Sequence, residues 1–142
     1  MPAWIDGKVY FFADSPPRRL MDLFSGKWNS MVLHALYHWP GTRARTGELQ
    51  RSLQGISKKM LIQTLRELEQ RGLLARQVHE VIPPHVDYRL TALGRRFAEP
   101  IEQMYQWGLE HQASLDAMEV HLQQSRPGGM SVQTKPPTAI ED

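Results

Sequence analysis

Residues 55–74 read GISKKMLIQTLRELEQRGLL, from Gly55 to Leu74, and their spacing predicts one helix with two unlike faces. The hydroxyl of Ser57 suits a helix start, where it can accept a backbone N–H, and Gly72 suits the left-handed turn that ends a helix. The helix should therefore run from Lys58 to about Arg71. At 100° per residue, Leu65 and Leu68 lie within about 40° of Leu61, a stripe that must be buried. Lys59, Gln63, Arg66 and Gln70 lie roughly 140° to 200° away from it. The opposite face is a row of hydrogen-bond donors.

The elements on either side give that row its meaning. Upstream, Thr46 can cap a short helix holding Leu49 and Leu53, which Gln54 and Gly55 break. Downstream, Leu73 to Val78 and Val86 to Leu90 read as two strands, and Val86, Tyr88 and Leu90 alternate with Asp87 and Arg89. Pro83 and Pro84 lie between them, so a β-hairpin with a stiff tip is expected. Helix, turn, helix and hairpin is the order of a winged helix-turn-helix, whose second helix enters the DNA major groove. The predicted fold class is mainly α with a small β-hairpin wing.

Each donor then has a stated task. Gln63 can pair with adenine and Arg66 or Lys59 with guanine, while Ile62, at the edge of the stripe, can meet a thymine methyl. Ser57, Lys58 and the free N–H groups of the first turn suit a backbone phosphate. Charge agrees with this placement. The whole chain of 142 residues carries only +2, but Arg43 to Arg71 holds seven basic residues, Arg43 and Arg45 among them, against three acidic ones. From Thr91 onward acidic residues outnumber basic ones by seven to four. Local potential, more than total charge, steers a polyanion.

Outside this region, residues 1–15 show no lasting period and form an N-terminal arm, in which Val9 to Phe12 can be a short strand. Ser15 before Pro16 and Pro17 opens a first helix through Leu20 and Phe24, which stops near Gly26. A second is expected from Trp28 to Tyr37, ended by Pro40 and Gly41. Thr91 caps a final helix through Phe97, Ile101 and Met104 that continues past Leu115 and Met118 to Leu122, with a kink at Pro100. The domain is thus read as 16–122. Residues 123–142, rich in Pro and Gly, read as a disordered tail. A long terminal helix on so small a chain has little to pack on except a second copy, so dimerisation is expected.

Composition removes other classes. With 41% hydrophobic and 23% charged residues the chain suits one ordinary core, and no stretch approaches the length of a membrane span. There is no cysteine, which excludes disulfides, thiolate metal sites and thiol nucleophiles. Ser25, Ser30 and Ser57 have no His and carboxylate at recognisable spacing, and no phosphate-binding Gly loop is present, so no enzyme is predicted. No export signal stands at Met1 to Asp6, and a cytoplasmic location is expected.

From Ser25 to His111 the chain resembles the HxlR-type winged-helix transcriptional regulators, relatives of the MarR regulators. The matching segments are Gly26-Lys27-Trp28, Gly47-Glu48-Leu49, Gly55 to Leu61, Thr64 to Leu68 and Gly72-Leu73-Leu74. They continue through Pro83-Pro84, Val86, Tyr88, Leu90-Thr91, Leu93-Gly94, Trp107-Gly108 and Glu110-His111. The resemblance implies a homodimer clamped by its first and last helices, through Leu20, Phe24, Phe97, Ile101, Met104, Leu115 and Met118. It also implies an inverted-repeat operator in duplex DNA, with one recognition helix per half-site, wings near the flanking minor groove, and control by occupancy or by a small-molecule effector.

Departures from the family pattern carry information too. Ser15 stands where many members have a cysteine, which excludes thiol sensing. At the wing, His85 replaces a basic residue that commonly follows the Pro-Pro pair, with His79 across the tip. Because an imidazole gains charge in mild acid, the wing's grip on DNA is expected to strengthen there. Thr46 replaces an aromatic at the start of the third helix. His34 and His38, four apart, can share one face, and the family layout offers only Glu110 and His111 as further ligands; ordinary half-buried histidines are the simpler reading. Trp28 and Trp107 can line a pocket, though core packing is simpler. No metal and no cofactor is assigned. The rival function is a winged-helix protein-interaction module whose exposed stripe binds an acidic protein partner without DNA.

Overall fold

The computed structural model describes residues 3–127. Its elements divide into two units, residues 1–104 and residues 105–142. The first unit opens with a hairpin inside the expected arm, β1 (Ala3–Ile5) and β2 (Lys8–Tyr10), the second overlapping the Val9 to Phe12 stretch. Asp6 and Gly7, at φ 50° and 72°, turn it. Both central residues are left-handed, as a tight two-residue turn requires. Helix α1 (Pro16–Leu23) follows, with proline in its first turn; Ser15 occupies the N-cap position but makes no side-chain cap bond. Helix α2 spans Lys27–His38, one residue beyond each expected end.

A single turn at Pro40–Thr42 leads into β3 (Arg43–Arg45), a strand the sequence reading did not foresee, and then α3 (Thr46–Ser52). Arg45, not Thr46, stands at the N-cap of α3. Helix α4 (Lys58–Gln70) is capped as predicted, the Ser57 hydroxyl accepting the Met60 N–H at 3.1 Å. The wing consists of β4 (Leu74–His79) and β5 (His85–Leu90). All three strands form one antiparallel sheet in the order β3-β5-β4.

Apolar side chains from α2, α3, α4 and the wing meet in one core. Leu33 and Leu36 of α2, Leu49 of α3, and Leu61, Leu65 and Leu68 of α4 are all fully buried, with Leu74, Tyr88 and Leu90 of the wing beside them. Burial on this scale is worth about 1.5–3 kcal/mol for each large side chain removed from water. Helix α5 (Ala92–Glu110) is capped by Thr91, whose hydroxyl accepts the Gly94 N–H at 3.0 Å and lies 2.6 Å from the Gly72 carbonyl.

The second unit holds the end of α5 and helix α6 (Gln112–Ser125). The expected single terminal helix is therefore two, separated at His111 (φ −120°, ψ 31°), whereas Pro100 lies inside α5 without ending it. Helix α6 also carries the chain to Ser125, past the expected tail boundary at 123. The remainder of that tail, from 128, lies outside the described residues.

Candidate nucleic-acid interface

Helix α4 separates its side chains as its periodicity demands. Leu61, Thr64, Leu65 and Leu68 are buried, while Lys58, Lys59, Gln63, Arg66 and Gln70 are exposed and Ile62 is half-buried at the margin. Thr64 avoids a buried unpaired hydroxyl by donating to the Met60 carbonyl at 2.8 Å. A shallow depression on the outer face is lined by Lys59, Ile62, Gln63, Arg66, Glu67 and Gln70, and it brings the predicted base-reading residues together. Donors converge there.

The remaining predicted contacts fall elsewhere. Arg43 and Arg45 lie exposed on β3, flanking the buried Ala44, and pair in register with Arg89 and Asp87 of β5. Arg45 and the wing residues Pro84 and His85 line a second cleft, together with Arg51, which the sequence reading counted as basic but did not assign. Its position in the last turn of α3 was the available signal. The Arg45 guanidinium lies 3.7 Å from the Glu48 carboxylate. Exposed pairs of this kind add little stability and leave the cation free to meet phosphate.

At the wing tip His79 and His85 stand across the hairpin from each other, with ring centroids 4.5 Å apart, and His79 Nε2 is 2.8 Å from Asp87 Oδ2. Asp87, whose alternation with Val86 and Tyr88 suggested a solvated face, is only 6% exposed. Tyr88 closes the other side. Burial, then the nearby Glu69 carboxylate, pushes its phenol above the ordinary range, and Arg76 and Arg66 oppose this, so α4 and the wing share one electrostatic environment.

The predicted dimer residues divide as well. Ile101 is 1% exposed, packed in the interior of its own unit, which removes it from any outward face. Met104 is 64% exposed, and Leu20, Phe24 and Phe97 are half-buried, with Leu20 and Phe97 lining a groove beside α1 and the start of α5. In the second unit, Leu115 and Met118 are exposed. Trp107 is also exposed and stacks on His111 at 4.1 Å, and Glu110 accepts from Gln106. His34 and His38 find their carboxylate in Glu102 of α5, at 2.5 and 2.6 Å, a partner that sequence spacing could not supply.

Comparison with known proteins agrees with this architecture. Residues 23–116 match the HxlR-like helix-turn-helix family. The HTH-type transcriptional regulator YkvN of Bacillus subtilis is 42% identical over 87 residues, 61% of this chain and 71% of that one. The regulator YtfH of Escherichia coli is 38% identical over 97 residues, 68% and 75% of the two chains. Among solved structures, a MarR-family transcriptional regulator from Porphyromonas gingivalis superposes with a TM-score of 0.66 at 33% identity, over 72% of this chain and 97% of that one. The redox regulator HypR in its reduced form gives 0.64 at 34%, over 72% and 99%. With a winged helix-turn-helix fold and a family match over residues 23–116, the chain belongs to the HxlR-like helix-turn-helix family and is a transcriptional regulator.

Proposed function

We propose that the chain acts as a homodimer on an inverted-repeat operator in duplex DNA, in the cytoplasm, each α4 reading one half-site. The observation that carries this reading is the outward face of α4, where Lys59, Gln63, Arg66 and Gln70 all stand exposed on the side opposite the buried leucines. In a two-fold dimer the half-sites lie about 34–36 Å apart, or a multiple of that. Gln63 and Arg66 read base edges; Ser57, Lys58 and Lys59 hold phosphate at the N-terminus of the helix. Arg45 and Arg51 contact the backbone beside the wing. In the first unit the exposed Met104 and the groove holding Leu20 and Phe97, and in the second unit the exposed Leu115 and Met118, supply the dimer contacts.

Regulation follows from occupancy of the operator and from any small-molecule effector that alters the separation of the two recognition helices. The 142 residues contain no cysteine, so the effector is not sensed by a thiol. Selection of bound sequences from a random duplex library tests the proposal. An inverted repeat is the expected product. Enrichment of no sequence, with tight binding to an acidic protein surface instead, would favour the interaction-module alternative.

A further inference from the structure

Among the described residues, two clusters of metal-ligating side chains lie outside the face of α4. In one, Glu102 places one carboxylate oxygen on His34 Nδ1 and the other on His38 Nε2, so the carboxylate has a partner for each oxygen. The wing cluster is different. Cross-strand register sets His79 directly opposite His85, and Asp87, two residues further along β5, projects from the same face. One candidate ligand atom from each of the three residues lies within 4.8 Å of the others.

The Asp87 carboxylate is incompletely satisfied. Its side chain is 9% exposed; Oδ2 meets His79, but Oδ1 is buried and has no hydrogen-bond partner among the described residues. A buried carboxylate is costly unless both its charge and its lone pairs are compensated. Neighbouring strands do not supply the compensation. Arg45, opposite Asp87 in the β3 register, is turned toward Glu48, and the β4 register partner of Asp87 is the neutral Gln77.

We propose that His79, His85 and Asp87 form a binding site for a divalent transition-metal ion, Zn2+ being the best match, with water completing the coordination. Two imidazoles and a carboxylate suit Zn2+ and its first-row neighbours, while Mg2+ and Ca2+ prefer all-oxygen sets. Bonds of 2.0–2.2 Å set tetrahedral ligands about 3.4 Å apart, so rotation of the two ring side chains is enough to close the site. The ion would join β4 to β5 at the wing tip. Any effect on DNA affinity rests on the reading that the wing touches DNA, so the decisive experiment omits DNA.

The untagged full chain, freed of metal with a chelator, is titrated with Zn2+ by calorimetry and with Co2+ by visible absorption. One equivalent per chain is expected at micromolar or tighter affinity, weakened at least tenfold by His79→Ala and by His85→Ala, which alter partly exposed positions. Asp87→Asn, of nearly equal shape, should weaken binding likewise, and circular dichroism reports whether each variant folds. Paired His34→Ala and His38→Ala substitutions should leave the titration unchanged. The proposal is overturned by absence of binding at 100-fold excess metal, by binding that survives loss of both His79 and His85, or by binding lost only with His34 and His38. Each of these outcomes leaves the operator selection free to succeed or fail independently.

Discussion

Gly94 lies against the Leu73 carbonyl so closely that a β-carbon there would collide with it, and would also come within 2.9 Å of the Leu90 side chain. The first turn of α5 therefore rests backbone to backbone on the residue leading into β4, held by the Thr91 cap. Because a carbonyl cannot rotate away as a flexible side chain can, Gly94→Ala must push α5 from the wing. A loss of about 1–3 kcal/mol is expected, the usual cost of overpacking. Thermal denaturation followed by circular dichroism checks it, and an unchanged Tm would contradict this account of the contact.

The exposed face of α4 makes two separable predictions. On the proposed reading Lys59→Ala removes one phosphate contact, so DNA binding should weaken for every sequence alike and the salt dependence should fall by about one unit of slope. Arg66→Ala or Gln63→Ala should instead relax preference at one base pair, by about 1–3 kcal/mol. Fluorescence anisotropy across a salt series, on the selected operator and on single-base variants, measures both. Equal loss on all sequences for all three substitutions would place Arg66 and Gln63 on phosphate.

Helix α4 was legible because its leucines repeat at the helical period and its cap and stop stand at both ends. Strand β3 was not, since three residues with one buried alanine carry no periodic signal, and its pairing with β5 is a long-range contact. The Asp6-Gly7 pair is a strong hairpin cue that the absence of a lasting period around it obscured. The break at His111 has no Pro or Gly to announce it. Alternation along β5 gave the correct faces but not their burial: Asp87 is only 6% exposed although Arg89, on the same face, is exposed, a difference between neighbours that a period-two pattern does not carry.

Dimerisation can be tested on two apolar residues of contrasting exposure. Met118 is 59% exposed on α6, and Ile101 is 1% exposed on α5. Met118→Glu should shift sedimentation toward monomer at micromolar concentration with little change in protomer folding. Ile101→Ala should do the reverse, costing about 2–5 kcal/mol of stability through the cavity it leaves. A Met118→Glu variant that sediments as wild type would remove α6 from the dimer face.

Glu102 joins α2 to α5 through two imidazoles at once, and this yields the last prediction. His34 is one-quarter exposed while His38 is more than half exposed, so water competes for the second contact much more than for the first. Glu102→Ala should therefore destabilise the fold by about 1–3 kcal/mol, the range for hydrogen bonds to a charged group. His34→Ala should account for most of that loss and His38→Ala for little. A double-mutant cycle between His34 and Glu102, read by urea denaturation, should give a coupling of at least about 0.5 kcal/mol. If the two losses simply add, the carboxylate holds α5 in place through some contact other than the His34 ring.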